Sequence, residues 1–287
     1  SDDGVREILK NIIIPLWNSY SFFVTYANID KIQPTGHEFD KSLPSNPLDR
    51  WLLSITQQLV KDVSSALDAY DLSGAIDPII RFIDDLNNWY IRRSRRRFWK
   101  SENDGDKKEA YASLYAALRI FAQVAAPVIP FITEEMWQNL KTPADKESVH
   151  LTDYPVYNKT WRDEALEFKM NTVQKAVSMG RSLRNEFNIT NRQPLESVAL
   201  VTRNPEEKKV LAEMEDSIRE ELNVKKVIFH EREDELVEYK AKANFRVLGK
   251  ELGPLMKQAS AKIETLGQSE IQSMLDGAKL TIEVAGT

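Results

Sequence analysis

Between Asn87 and Lys100 the chain crowds Arg92, Arg93, Arg95, Arg96, Arg97 and Lys100 among Trp89, Tyr90, Phe98 and Trp99. Guanidinium groups fork onto phosphate oxygens and stack on bases, and an indole offers a π surface to an unpaired base. The mixture therefore suits a nucleic-acid loop better than a plain duplex. At about 100° per residue, Trp89, Arg92, Arg93, Arg96, Trp99 and Lys100 share one helical stripe, with Ile76, Ile80, Ile83, Tyr90, Ser94 and Phe98 roughly opposite. One face can be buried while the other stays in water. The competing reading is a solvated helix end whose arginines favour the C-terminal dipole and pair with carboxylates elsewhere.

The rest of the composition narrows the choice. The chain has 287 residues, 39 Lys and Arg against 44 Asp and Glu, and a formal net charge of −5. A polyanion must then be held at one place, by field focusing at a patch, and diffuse binding is excluded. With no cysteine there is no disulfide frame, thiolate zinc site or catalytic thiol, which fits a reducing cytoplasm. His37, His150 and His230 sit in separate elements, without a second ligand at helical spacing, and are expected to be structural or solvent residues. Gly249-Lys250 lacks the upstream glycine and following hydroxyl of a phosphate loop. Adjacent acids such as Asp84-Asp85 and Glu134-Glu135 diverge by about 100° on a helix and make no dyad. These features argue for a binding module without a catalytic site. The apolar run Ile12 to Trp17 is too brief to span a bilayer, and the opening Ser1-Asp2-Asp3-Gly4 reads as a helix start in a piece of a longer protein.

The elements that must position the basic stripe are helical almost throughout from Asp3 to Leu140. Ile13, Leu16, Trp17, Tyr20, Phe23 and Val24 repeat at helical spacing, with Pro15 as a kink or new first turn. Asn46-Pro47 caps a helix carrying Leu52, Ile55, Leu59, Val63 and Leu67. A third helix starts near Asp71, tolerates Pro78 and runs to the basic tip. A fourth carries Tyr111, Leu114, Tyr115, Leu118, Phe121 and Ala122. Pro130 to Leu140 reads as a fifth, capped by the hydroxyls and acids of its own first turn. Long helices with short connections imply antiparallel packing. A further helix is expected from Trp161 to Phe187. After it come strands at Leu195–Val201, Val224–Phe229, Val237–Ala243 and Lys279–Ala285, with helices opening at Asn204 and spanning about Leu252 to Leu266. The expected fold is mainly α: an antiparallel helical bundle over residues 1–157, then a helix and a small α/β C-terminal domain over residues 158–287.

Three segments occur in order: Leu48-Asp49-Arg50-Trp51-Leu52-Leu53, then Asp85 to Trp99, then Ala126 to Trp137. Together they resemble the anticodon-binding bundle of class I aminoacyl-tRNA synthetases for branched aliphatic amino acids. The basic run Arg92 to Arg97 and the stretch Gly180 to Leu195 resemble the isoleucine branch over its valine and leucine relatives, in the version shared by eukaryotes, archaea and some bacteria. The family's adenylate-forming signatures H-I-G-H and K-M-S-K-S, its editing insert and the cysteine zinc site of some bacterial members are absent from this sequence.

The resemblance implies a non-catalytic portion of an ATP-dependent ligase of protein biosynthesis, cytoplasmic and monomeric, that binds the anticodon loop and stem of isoleucine tRNA, with neither DNA nor membrane as partner. ATP and Mg belong to the intact enzyme, and no cofactor or metal is expected in this chain. It places Asn18, Trp89, Arg92, Arg93, Arg96, Trp99 and Lys100 at the RNA, and Arg181, Arg184 and Arg192 as further candidates. For Trp89 the alternative is a bundle residue covering a neighbouring helix. Asn18 could equally bond a nearby carbonyl. The three downstream arginines could instead tie the last long helix to the α/β part. A helical protein-interaction scaffold remains the reading from a different class.

Overall fold

Short polar caps mark where the helices begin. Asn46, Asp71, Asp104 and Asn204 each accept a hydrogen bond through a side-chain oxygen from a backbone N–H two or three residues on, and each opens a helix. The computed structural model describes residues 2–100, 104–230, 239–275 and 277–283, which fall into two compact units, residues 1–170 and 171–287. The dividing line lies inside a long helix, where the sequence had suggested a boundary at 157/158.

In the first unit, α1 (Asp2–Ile8) continues through a wider turn at Leu9–Ile13 into α2 (Ile14–Asp30). Pro15 sits in the first turn of α2, where its missing N–H is least costly. Then come α3 (Pro47–Asp68), α4 (Leu72–Asp85), a second wide-turn segment at Leu86–Ile91, and α5 (Arg92–Trp99). The hairpin returns as α6 (Gly105–Ala125), followed by α7 (Pro130–Leu140). Asp49 at the start of α3 meets Arg97 near the end of α5. Arg97 also meets Asp106, and Phe82 stacks on Phe121 with ring centroids 5.5 Å apart. Both pairs of neighbouring helices are therefore antiparallel, as the short connections require.

The core is built from the faces expected. On α3 Leu52, Leu59 and Val63 are buried, and on α6 so are Tyr111, Leu114, Tyr115, Leu118, Phe121 and Ala122. Three assignments change. Ile76 and Ile80 are 40% and 37% exposed, because α4 packs through Ala75, Pro78, Ile79, Phe82 and Ile83 one position along. Trp17 is 41% exposed. At the start of α7 no side chain caps Ile129, and the Thr133 hydroxyl instead donates back toward the carbonyl oxygens of Ile129 and Pro130.

In the second unit, the remainder of α8 (Glu164–Glu186) leads to β1 (Leu195–Val201), α9 (Pro205–Glu213), α10 (Glu215–Leu222) and β2 (Val224–His230). The two strands pair in parallel, Leu195 opposite Val224 and Val201 opposite His230, with the two helices as the crossover that a parallel pair needs. Residues 239–243 and 279–283 are not strands, and the remainder of those two expected strands lies outside the described residues. The Tyr239 backbone is held instead by the Gln268 amide, which accepts from its N–H and donates to its carbonyl. Of the helix expected over 252–266, only α12 (Met256–Glu264) forms; a tight turn at Gly253–Leu255 precedes it, and before that comes α11 (Phe245–Leu252), which the sequence did not suggest. Gly253 at φ +47° and Pro254 explain the break, the first by its left-handed backbone and the second by its missing donor. A last helix, α13, covers Gln268–Leu275.

Candidate nucleic-acid interface

Five arginines lie in or at the edges of α5, and the fold sends them to three different places. Arg92, Arg95, Arg96 and Trp99 follow i, i+3, i+4, i+7 spacing and are exposed together, Trp99 at 56%. Ser94 and Phe98 on the opposite side are buried, with Phe98 in edge contact with Tyr111 at 4.8 Å and with Phe22 at 5.0 Å. The Phe22 contact seats α2 beside α5. Asn18, one turn before Phe22, is exposed on that flanking helix together with Trp17.

Trp89 leaves the expected stripe. It is 3% exposed, so its indole has no face to offer an unpaired base. The cause is the wide-turn segment Leu86–Ile91, which holds more residues per turn than an α-helix and carries Trp89 round to the packed side beside Tyr90 and Ile91. A wheel drawn at 100° per residue misses that change of phase. Arg93 is half-buried, with its guanidinium carbon 4.8 Å from the Trp89 ring centroid, a cation–π contact that covers the indole. Lys100 has left the helix. Its ammonium donates to Asp104 Oδ2 at 2.7 Å and Asp106 Oδ2 at 3.1 Å, so its charge is largely met within the turn.

Arg97 turns inward. Nη1 and Nη2 donate to the two carboxylate oxygens of Asp49 at 2.8 and 2.6 Å, Nη2 also to the Asp106 carbonyl at 2.9 Å, and Tyr90 Oη donates to Asp49 Oδ1 at 2.7 Å. Burial pushes the Asp49 carboxyl above its ordinary range, although the Arg97 guanidinium and Tyr90 hydroxyl pull the other way. On Arg97 burial pulls downward, yet the hydrogen bonds and charge of Asp49 outweigh it and hold the guanidinium protonated. A neighbouring anchor joins Lys107, Asp30 and Tyr111: Lys107 Nζ lies 2.7 Å from Asp30 Oδ2 and donates to the Lys100 carbonyl at 2.7 Å. The Tyr111 hydroxyl donates to Asp30. Burial raises the Asp30 carboxyl, but these two donors and the lysine charge prevail and keep it below the usual carboxylate range. Two sets of internal ion pairs thus fix the C-terminal end of the ridge from behind.

Arg95 was not singled out from the sequence. The signal was present, since Arg95 stands three residues after Arg92 and four before Trp99, but tracing the stripe from Trp89 gave the wrong phase. Trp17, read as core, is the second aromatic that the sequence misplaced. No group of three or more histidine, cysteine or acidic side chains suited to a metal occurs among the described residues.

The downstream arginines are mostly structural. Arg184, 4% exposed, donates to the carbonyl oxygens of Thr190, Gln193, Leu222 and Asn223 at 2.6–3.3 Å, tying α8 to the turn before β1 and to the end of α10. A guanidinium spent on four carbonyls inside the fold does not reach RNA. Arg181 is half-buried and ion-paired with Glu221, whereas Arg192 is exposed. Gly180 permits the close helix contact, since a Cβ there would lie 2.6 Å from Leu222 Cδ1. Arg184→Ala leaves buried carbonyls without a donor, and we expect it to destabilise the second unit by roughly 3 kcal/mol. Hydrogen exchange read on residues 189–195 and 222–224 checks this. Protection equal to that of the unaltered chain would refute the clamp.

A helical bundle that shows one arginine-and-indole ridge, braced from within by ion pairs, is the frame of a tRNA-binding module. The chain belongs to the anticodon-binding domain family of tRNA ligases, whose pattern matches residues 49–200. Among its relatives, the isoleucine–tRNA ligase of Treponema denticola is 64% identical over the whole of this chain, that of Treponema pallidum 56%, and that of Protochlamydia amoebophila 43%. The chain spans 27% of the length of each of these relatives. The expected mainly α fold and the resemblance to the isoleucine branch stand on this match.

Proposed function

We propose that this chain is the tRNA-gripping portion of an isoleucine–tRNA ligase, and that Arg92, Arg95, Arg96 and Trp99, with Asn18 on the flanking helix, close on the anticodon loop of isoleucine tRNA. In this reading the rest of the ligase makes isoleucyl-adenylate from ATP with Mg²⁺ and transfers the acyl group, while this chain supplies no catalytic group. The assembly works as a cytoplasmic monomer. No described helix is long and apolar enough to cross a membrane.

The observation that carries the proposal is the joint exposure of three guanidiniums and one indole on a single helical face, inside a chain of net charge −5. Each guanidinium can fork onto a phosphate, and Trp99 can stack on or wedge beside a base turned out of the loop. Arg93 supports the ridge through its contact with Trp89.

The test compares gel shifts of the chain with isoleucine tRNA and with the same tRNA carrying an altered anticodon. Preference for the first is expected. Stronger binding of a valine or leucine tRNA would reassign the amino acid, and no tRNA binding alongside a tight protein partner would favour the scaffold. Trp99→Ala is expected to cost about 1–3 kcal/mol of binding, the usual worth of one stacked base, with the salt dependence unchanged because no charge is removed. A fluorescence titration at two salt concentrations reads both. Full affinity in that variant would take Trp99 out of the interface.

A further inference from the structure

A second cationic and aromatic cluster lies in residues 239–264, in the unit that the ridge does not belong to. Lys240, Lys242 and Arg246 are exposed, as is Lys257 on α12, and their side chains have no hydrogen bond or ion pair among the described residues. Phe245, the first residue of α11, is 62% exposed; it precedes Arg246 in the chain and shares a groove lining with Lys257. An exposed ring beside exposed cations offers a stacking face for a base and charge for its phosphates.

Beside Phe245 runs an open groove of about 540 Å³ between α11 and α12, lined by Phe245, Gly249, Gly253, Pro254, Met256 and Lys257. Its volume falls within the roughly 300–1,000 Å³ of small-ligand sites. Two glycines make it. Gly249 has no atom within 4 Å of where a Cβ would stand, and Gly253 at φ +47° makes the turn that sets the two helices apart. At its far end Ser260 donates to Glu264, giving acceptors that suit an exocyclic amine. The lining is mostly apolar, with Lys257 and Glu264 as its charged groups and Ser260 as its one hydroxyl.

We propose that the groove between α11 and α12 takes an unpaired nucleobase stacked on Phe245, with Lys240, Lys242, Arg246 and Lys257 holding the flanking phosphates. The second unit is then an RNA-binding element in its own right. This rests on the chain being a tRNA binder, so the test must separate the two ideas.

Three forms of the 287-residue chain are titrated with isoleucine tRNA between 50 and 200 mM KCl: Phe245→Ala, the triple change Lys240→Glu, Lys242→Glu and Arg246→Glu, and the ridge triple Arg92→Glu, Arg95→Glu and Arg96→Glu. All positions are on the surface, and circular dichroism confirms the fold. We expect Phe245→Ala to bind about tenfold more weakly. The triple change at Lys240, Lys242 and Arg246 should lower the slope of log affinity against log salt by about two, the value for three single-strand phosphate contacts. Ultraviolet crosslinking of tRNA containing 4-thiouridine should mark a peptide within 239–257 and lose that mark in Phe245→Ala. If the ridge triple weakens binding while the other two variants match the unaltered chain in affinity, slope and crosslinks, the second contact is refuted and the ridge stands. If the unaltered chain binds no tRNA, both fail together.

Discussion

Reversing Arg92, Arg95 and Arg96 to glutamate together is expected to weaken binding of isoleucine tRNA at least about 100-fold near 0.1 M salt, which corresponds to roughly 2.7 kcal/mol. The magnitude follows from counterion release. Each phosphate neutralised contributes about 0.7 to 0.9 to the slope of log affinity against log salt, so losing three contacts lowers the slope by about two. Placing three carboxylates where the phosphates must lie adds repulsion, which is strongest at low salt. The fold should not notice. These positions are exposed, so the change in stability should be small beside the change in binding. The native ridge also sets like charges three and four residues apart, which a helix tolerates at a small cost. Filter binding across a salt series, with a denaturation curve beside it, reads both quantities. Unchanged affinity and slope would remove the ridge from the argument.

The contrast between ridge and core shows what helical spacing could and could not reveal. Leu52, Leu59 and Val63 on α3, and the whole apolar face of α6, were legible because an α-helix repeats faithfully and one face must leave water. The caps at Asn46, Asp71 and Asn204 were legible because a side-chain oxygen satisfying a free N–H is a local event. Trp89 was not, since a segment wound with extra residues per turn has no mark in composition and shifts the phase of all that follows it. Arg97 and Arg96 are neighbours of one type, and only the position of Asp49, some fifty residues earlier, decides which one is buried. The same holds for Arg184, whose four carbonyl partners come from two separate stretches of chain. For the strands expected at 237–243 and 279–285, alternation alone misled over the described parts. A pattern of period two needs an edge to pair with, and backbone geometry at 239–243 and 279–283 shows no such pairing.

The buried pair behind the ridge carries the other large effect, and it falls on stability. Asp49→Ala is expected to destabilise the first unit by about 3–5 kcal/mol, because it removes the buried carboxylate that takes both Nη groups of Arg97, leaves the guanidinium with Asp106 alone, and leaves the Tyr90 hydroxyl only the Ala110 carbonyl. Arg97→Ala should cost a similar amount, since Asp49 is fully buried and its carboxylate would lose both guanidinium donors. At roughly 2–4 °C per kcal/mol for a unit of this size, either change lowers the melting temperature by about 6–20 °C. Arg97→Lys should recover only part, because one ammonium cannot meet both oxygens as the planar fork does. Joining Asp49→Leu with Arg97→Met removes both charges and should be much milder than either single loss, the signature of an ion pair whose breakage costs more than its absence. Urea denaturation of the four variants supplies the comparison. Meanwhile RNA affinity, measured at a temperature where all remain folded, should stay close to that of the unaltered chain, because Arg97 faces Asp49 and Asp106 while the ridge faces water. A loss below about 1 kcal/mol in Asp49→Ala would show that the pair does not brace the bundle. A loss of RNA affinity equal to that of the ridge variant would mean that Arg97 acts outward after all.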